Sequence, residues 1–188
     1  LSAVPVALLA APTGFIATAT PGQVALTWNA VAGASSYEVL RGTASGSYTS
    51  LASGILPTNY TDTTVTNGTT YYYVVRAFNG LNGTSSAERA VKPVASFAIA
   101  SATPVSSSGI QVTWGSAAGA DNYDVMYGTA SGSYSTTVSN VTSPYSLSGL
   151  AANTTYYIVV RGRNAIGSGT NFITAQASAL TRTAAPSS

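Results

Sequence analysis

Apolar and polar side chains alternate with a period of two through most of this chain. Val24, Leu26 and Trp28 alternate with Ala25 and Thr27, and Tyr71, Tyr73, Val75 and Ala77 alternate with Tyr72, Val74, Arg76 and Phe78. A strand sends successive side chains to opposite faces, so the first set of each pair is predicted to face a core. The same reading applies to Ile110, Val112 and Trp114, and to Tyr156, Ile158 and Val160. β-branched and aromatic residues dominate these runs, as strands favour. Turn residues interrupt them at short intervals: Pro21-Gly22, Ala32-Gly33, Ser45-Gly46, Asn67-Gly68, Asn79-Gly80 and Asn82-Gly83. A stripe of helical period is absent. The pattern predicts an all-β chain of short strands packed as two-sheet sandwiches, with about seven strands per copy.

The pattern is also written twice. Residues 41–48 read RGTASGSY and residues 127–134 read YGTASGSY. Tyr37-Glu38-Val39 recurs as Tyr123-Asp124-Val125, and 67–79 (NGTTYYYVVRAFN) recurs as 152–164 (ANTTYYIVVRGRN). Trp28 and Trp114 are 86 residues apart, and Tyr71 and Tyr156 are 85 apart, so two domains of one ancestry are expected. The predicted boundaries are an N-terminal extension or linker over 1–10, domain 1 over 11–92, domain 2 over 93–183 and a C-terminal linker over 184–188. Pro93 would stiffen the joint.

These residues resemble the fibronectin type III family. The likeness is carried by Trp28, Tyr37-x-Val39, Val65 and Tyr71-x-Tyr73-x-Val75-x-Ala77-x-Asn79. It is carried again by Trp114, Tyr123-x-Val125, Leu150 and Tyr156-x-Ile158-x-Val160-x-Gly162-x-Asn164. The resemblance implies immunoglobulin-like sandwiches in which Trp28 and Trp114 are buried core residues and Tyr71 and Tyr156 are corner tyrosines. Two departures imply local irregularity: Asp62, where the second copy has Leu147, and Gly162, where the first has Ala77. The phrasing is similar to bacterial secreted and cell-surface versions of the domain, which implies an extracellular or cell-surface location.

Composition narrows the function. Of 188 residues only 6% are charged, and the net charge of +2 comes from scattered residues that form no basic stripe, which argues against nucleic-acid binding. Disorder is the other reading of so few charges, but 45% hydrophobic content with 12 Tyr and 2 Trp contradicts it. Membrane insertion is not expected, since no apolar run reaches the ~18 residues a spanning helix needs. There is no Cys and no His, so Ser and Thr lack an evident activating base and thiolate metal sites are excluded. We therefore expect no enzyme activity and no cofactor.

The remaining candidates are modest. Glu38 and Asp124 occupy the same outward position on equivalent strands and are predicted to be solvated. Asp121-Asn122-Tyr123-Asp124 brings oxygen ligands together but lacks the further carboxylates that calcium recruits. Asn59, Asn67, Asn82, Asn140 and Asn153 head Asn-x-Ser/Thr sequons. Tyr48 and Tyr134 end the repeated loops and are candidate contacts for a partner or glycan.

Residues 1–10, LSAVPVALLA, belong to neither repeat. They read as a signal-peptide remnant without its basic start, as the last strand and linker of a preceding module, or as a donor strand in which Val4, Val6 and Leu8 contact another subunit. The expected role is a non-catalytic spacer or assembly subunit of a surface filament or repeat array. Its partner would be protein, through self-assembly or neighbouring domains. The alternative is an adhesin, or a carbohydrate-binding or accessory domain of a secreted polysaccharide-degrading enzyme, with a glycan as partner.

Overall fold

In a computed structural model, which describes residues 7–166 and 172–184, the chain divides into two compact units with the break after Pro93. Among the described residues every regular element is a strand. In the first unit β1 (Ile16–Thr20), β2 (Gln23–Thr27) and β5 (Asn59–Asp62) form a sheet in the order β1-β2-β5. The facing sheet runs β4 (Ser47–Ile55), β3 (Ser36–Ala44), β6 (Tyr71–Phe78), β7 (Asn82–Ser85), with β8 (Arg89–Val91) also pairing with β6. The second unit repeats the plan. There β13 (Tyr145–Leu147), β10 (Gly109–Trp114) and β9 (Ile99–Ser106) make one sheet. The other is β12 (Thr136–Val141), β11 (Asn122–Gly128), β14 (Thr155–Arg163) and β15 (Phe172–Ile173), with β16 (Ala177–Leu180) on β14. All pairings are antiparallel.

The alternation places the cores. Val24, Leu26, Trp28, Val39, Tyr71, Tyr73, Val75 and Ala77 are buried between the first pair of sheets. Ile110, Val112, Trp114, Val125, Tyr156, Ile158 and Val160 are buried between the second pair. Trp28 packs edge-on against Phe15 and Tyr37, with centroids 6.5 and 5.4 Å away, and Trp114 lies 5.7 Å from Tyr123. Val74, read as outward, is buried as well, and so is Val159 at the matching position of the second unit.

Two hydroxyls per unit fix how the chain passes between sheets. The Thr66 amide donates to the Tyr71 hydroxyl (3.0 Å) and the Ala151 amide to the Tyr156 hydroxyl (3.0 Å). Five residues separate donor and acceptor in each case, so the turn entering β6 or β14 is pinned to the strand it feeds. The Val31 and Ala117 amides likewise donate to Tyr37 and Tyr123. In the repeated loop, Gly42 and Gly128 are obligatory. A Cβ there would stand 1.8 Å from the Ser47 carbonyl oxygen or 2.2 Å from that of Ser133.

Three expectations need correction. Asp62 and Gly162 cause no register shift: Asp62 pairs with Val24 as the last residue of β5, and β14 keeps register with β11 through Gly162. Gly162 instead makes room for the Phe97 ring, which an added Cβ would meet at 3.0 Å. Within the expected extension 1–10, the described residues 7–10 are not separate from domain 1: Leu9 is 8% exposed within the first core, and its carbonyl accepts from Thr84. The Asn79 side chain donates to Ala7, and Gly83 is bare where Leu9 crosses it, 3.0 Å from an added Cβ. Leu8 points out, 66% exposed, while Val4 and Val6 lie outside the described residues, as does 185–188 of the C-terminal linker.

Tyr71→Phe or Tyr156→Phe strands a turn amide and should each cost about 1–2 kcal/mol of its own unit's stability in urea unfolding. Leu9→Ala should destabilise the first unit by about 2–3 kcal/mol and leave the second unchanged. A first unit whose stability is unchanged in that variant would show that Leu9 is not part of the first core.

Candidate binding surface

The repeated loops are built as receptors for a side chain from their own unit. In the first, the Ser45 hydroxyl (2.9 Å), the Gly46 amide (3.1 Å) and the Tyr48 hydroxyl all donate to the Glu88 carboxylate. In the second, the Gly132 amide and the Tyr134 hydroxyl, both at 2.8 Å, donate to the Gln176 side-chain oxygen, and the Gln176 amide returns a bond to Ser131 (3.0 Å). Gly46 and Gly132 have φ of 77° and 75°, which turns the loop amide toward that oxygen. The Tyr48 bond holds the Glu88 carboxyl below its ordinary value, partial burial opposes it, and Gly46 and Ser45 add to the lowering. Tyr48 and Tyr134 are half-buried with their hydroxyls engaged inside the fold. They brace the loop onto the segment leading into the final strand.

Asp124 is fully buried rather than solvated. Alternation aims it outward, but two arginines of β14 close over it: Arg161 contacts Oδ2 through Nη2 at 2.6 Å and Arg163 through Nε at 2.8 Å. Asn140, the residue bulged out of β12 at φ 59°, adds its amide at 3.4 Å. Burial pushes the Asp124 carboxyl up, and the Arg161 hydrogen bond, the two guanidinium charges and the Asn140 amide outweigh it, so the net shift is downward. Two guanidinium groups on one carboxylate repel any further cation, so this carboxylate cannot serve calcium.

Asp62, 1% exposed, anchors the matching network of the first unit. Its Oδ1 accepts from the Thr64 amide (2.9 Å) and hydroxyl (2.8 Å), and its Oδ2 from Arg41 (2.7 Å) and the Tyr73 hydroxyl (2.8 Å). The Arg41 guanidinium also lies over the Tyr71 ring, 5.0 Å from its centroid. In the second unit the equivalent positions are Tyr127, Leu147 and Ile158, and Tyr127 packs edge-on against Tyr156 at 6.0 Å. The two units thus fill one place with two self-consistent sets, one polar and one largely apolar. Sequence reasoning singled out Asp62 but missed Arg41 and Tyr73 as its partners. The signal was available: all three positions change character together between the copies.

Burial pushes the Asp62 carboxyl up, but the Thr64, Tyr73 and Arg41 donors outweigh it and hold it below its ordinary value. A carboxylate depressed in the folded state contributes stability that is present above the unfolded pKa, about 3.9, and lost as pH falls through the folded value. The first unit should therefore weaken below about pH 4. Asp62→Ala alone leaves Tyr73 and Thr64 donors unsatisfied and should cost about 2–4 kcal/mol. The joint change Arg41→Tyr, Asp62→Leu, Tyr73→Ile should be near neutral at pH 7 and flatten the acid-side loss. Urea unfolding of the first unit across pH 3–7 checks both; a triple variant as unstable as Asp62→Ala would show that the sets are not interchangeable.

Residues 99–176 match the family model described as "Fibronectin type III domain". Poly(3-hydroxybutyrate) depolymerase of Ralstonia pickettii is 47% identical over 83 residues, which is 43% of this chain and 16% of that enzyme. Chitinase A1 of Niallia circulans is 31% identical over 167 residues, 79% of this chain and 22% of the enzyme. The chain therefore spans only about a fifth of the length of these relatives. A solved Fn3-like protein from Clostridium thermocellum is 48% identical, covering 46% of this chain and 94% of that one, with a TM-score of 0.44. With the same strand order, paired core tryptophans and corner tyrosines in both units, the chain belongs to the fibronectin type III family as a tandem of two such domains.

Proposed function

We propose that this tandem is a non-catalytic accessory segment of a secreted polymer-degrading hydrolase, working outside the cell to hold and space the catalytic part relative to its substrate. The observation that carries the proposal is the chitinase A1 similarity, whose 167 residues are too many for either copy alone. The depolymerase match supports it from a second enzyme of polymer breakdown. The physical features agree. The carboxylates of Glu38, Asp62, Glu88 and Asp124 are each engaged by donors of their own unit, which leaves them poorly suited to acid–base work on a substrate.

The full reading frame should encode a hydrolase catalytic domain in the same polypeptide. Excising these residues from that enzyme should slow hydrolysis of insoluble polymer several-fold and leave hydrolysis of soluble oligomers unchanged. A frame that encodes only further sandwich repeats would overturn the proposal in favour of a surface filament or repeat array.

A further inference from the structure

The outward face of the β4-β3-β6-β7 sheet is hollow at one end. Ser36, Glu38, Ser53, Gly54, Phe78 and Asn82 line a trough of about 310 Å³ there. The strand register explains the assembly. Ser36 pairs with Phe78 and Phe78 with Asn82, so these three stand in a row across β3, β6 and β7; Glu38 lies a step along β3, opposite Arg76, and Ser53 and Gly54 come from β4. Phe78 is 39% exposed.

In the second unit the matching positions carry side chains that bond to one another. Phe78 corresponds to Arg163, Glu38 to Asp124 and Gly54 to Asn140. Gly54 and Asn140 share the left-handed backbone, φ 67° and 59°. In the second unit the Arg163 guanidinium donates to the Asn140 side chain (3.0 Å) and both cover Asp124. In the first, an added Cβ at Gly54 would meet nothing within 4 Å. The copies share a fold and a buried or half-buried acid at this spot, so neither fold nor charge balance requires the hollow.

We propose that this trough is a binding subsite for a neutral hexopyranose unit of a polysaccharide chain. The ligand class rests on the accessory-module reading; the hollow itself does not. A pyranose carries an apolar C–H face and a rim of hydroxyls. The trough offers an aromatic face from Phe78, hydroxyls from Ser36 and Ser53, and an amide from Asn82. Glu38 is neutralised by Arg76 at 2.7 Å. Burial pushes its carboxyl up, but hydrogen bonds from Arg76 and Ser50 and the Arg76 charge hold it low, so it remains an acceptor for sugar hydroxyls. With its charge balanced, the site neither attracts nor repels ions, which disfavours anionic and cationic ligands. The volume is at the small end of ligand sites, about 300–1,000 Å³, and suits a sugar ring rather than a long chain segment.

The test is an NMR amide titration of the 188-residue chain with maltohexaose and, separately, with N-acetylchitohexaose. Shifts confined to Ser36, Glu38, Ser53, Gly54, Phe78 and Asn82 are expected, with an affinity on the order of 1 mM. Phe78→Ala should weaken binding about tenfold through loss of the stacking face. The double variant Gly54→Asn, Phe78→Arg copies the second unit and should abolish binding while leaving the urea midpoint of the first unit unchanged. No shift with either sugar at roughly ten times that concentration would overturn the proposal. So would shifts that survive the double variant. A silent trough beside a reading frame that encodes a hydrolase would sink the subsite and leave the accessory role standing.

Discussion

The bond from a turn amide to the corner tyrosine hydroxyl sets the frame on which the rest of each domain hangs. It fixes where the chain leaves the β5 or β13 edge of one sheet and enters the central strand of the other. Once β6 is placed, Tyr73, Val75 and Ala77 must face inward, and β3, β7 and β8 find their register along it. The residue covering the corner ring is then constrained too. It must be flat enough to lie on a phenol and able to satisfy whatever ends β5. Arg41 does this through its guanidinium, reaching Asp62 from the same position. Tyr127 does it by edge packing, with Leu147 needing no partner.

That coupling explains how the copies diverged without losing the fold. A lone Asp at position 62 beside an apolar set would bury an unpaired carboxylate, which is strongly unfavourable, so the acid, the arginine and the tyrosine are viable only together. The outer face shows the same logic. Asp124 is buried because Arg161, Arg163 and Asn140 all arrive, whereas Glu38 meets Arg76 alone and keeps some contact with solvent. Each exchange is a block of neighbouring positions spread over different strands, and such blocks are invisible along one strand.

This is also why the sequence was legible in some respects and opaque in others. The strands, two-domain plan and inward faces follow from period-two alternation and from the repeat, because burial acts on each strand separately. Asp124 was misread because alternation gives only the direction of a side chain, and cannot say that two long arginines from the next strand will fold over it. Leu9 was misread because it joins the core without joining a strand, held by one backbone bond and by the bare surface of Gly83. The loops held a clear signal in GTASGSY, but its receiver, Glu88 or Gln176, lies more than forty residues away and outside the repeated string.

The pairing of acids has a consequence for how the molecule meets its surroundings. With 6% charged residues, and with Arg41, Arg76, Arg161 and Arg163 each bound to a carboxylate of their own unit, the chain presents little long-range field. Its surface is instead hydroxyl, amide and scattered apolar groups such as Leu56, Leu81 and Ile173. Recognition on such a surface must act at contact distance, through hydrogen bonds and burial. It should therefore depend weakly on ionic strength, because screening acts on exposed, unpaired charges and few are on offer. A module of this kind cannot steer a charged partner from afar, and any contact it makes should hold across a wide range of salt. The paired arginines thus do two things at once: they make buried acids tolerable inside the fold, and they leave the outside electrically quiet.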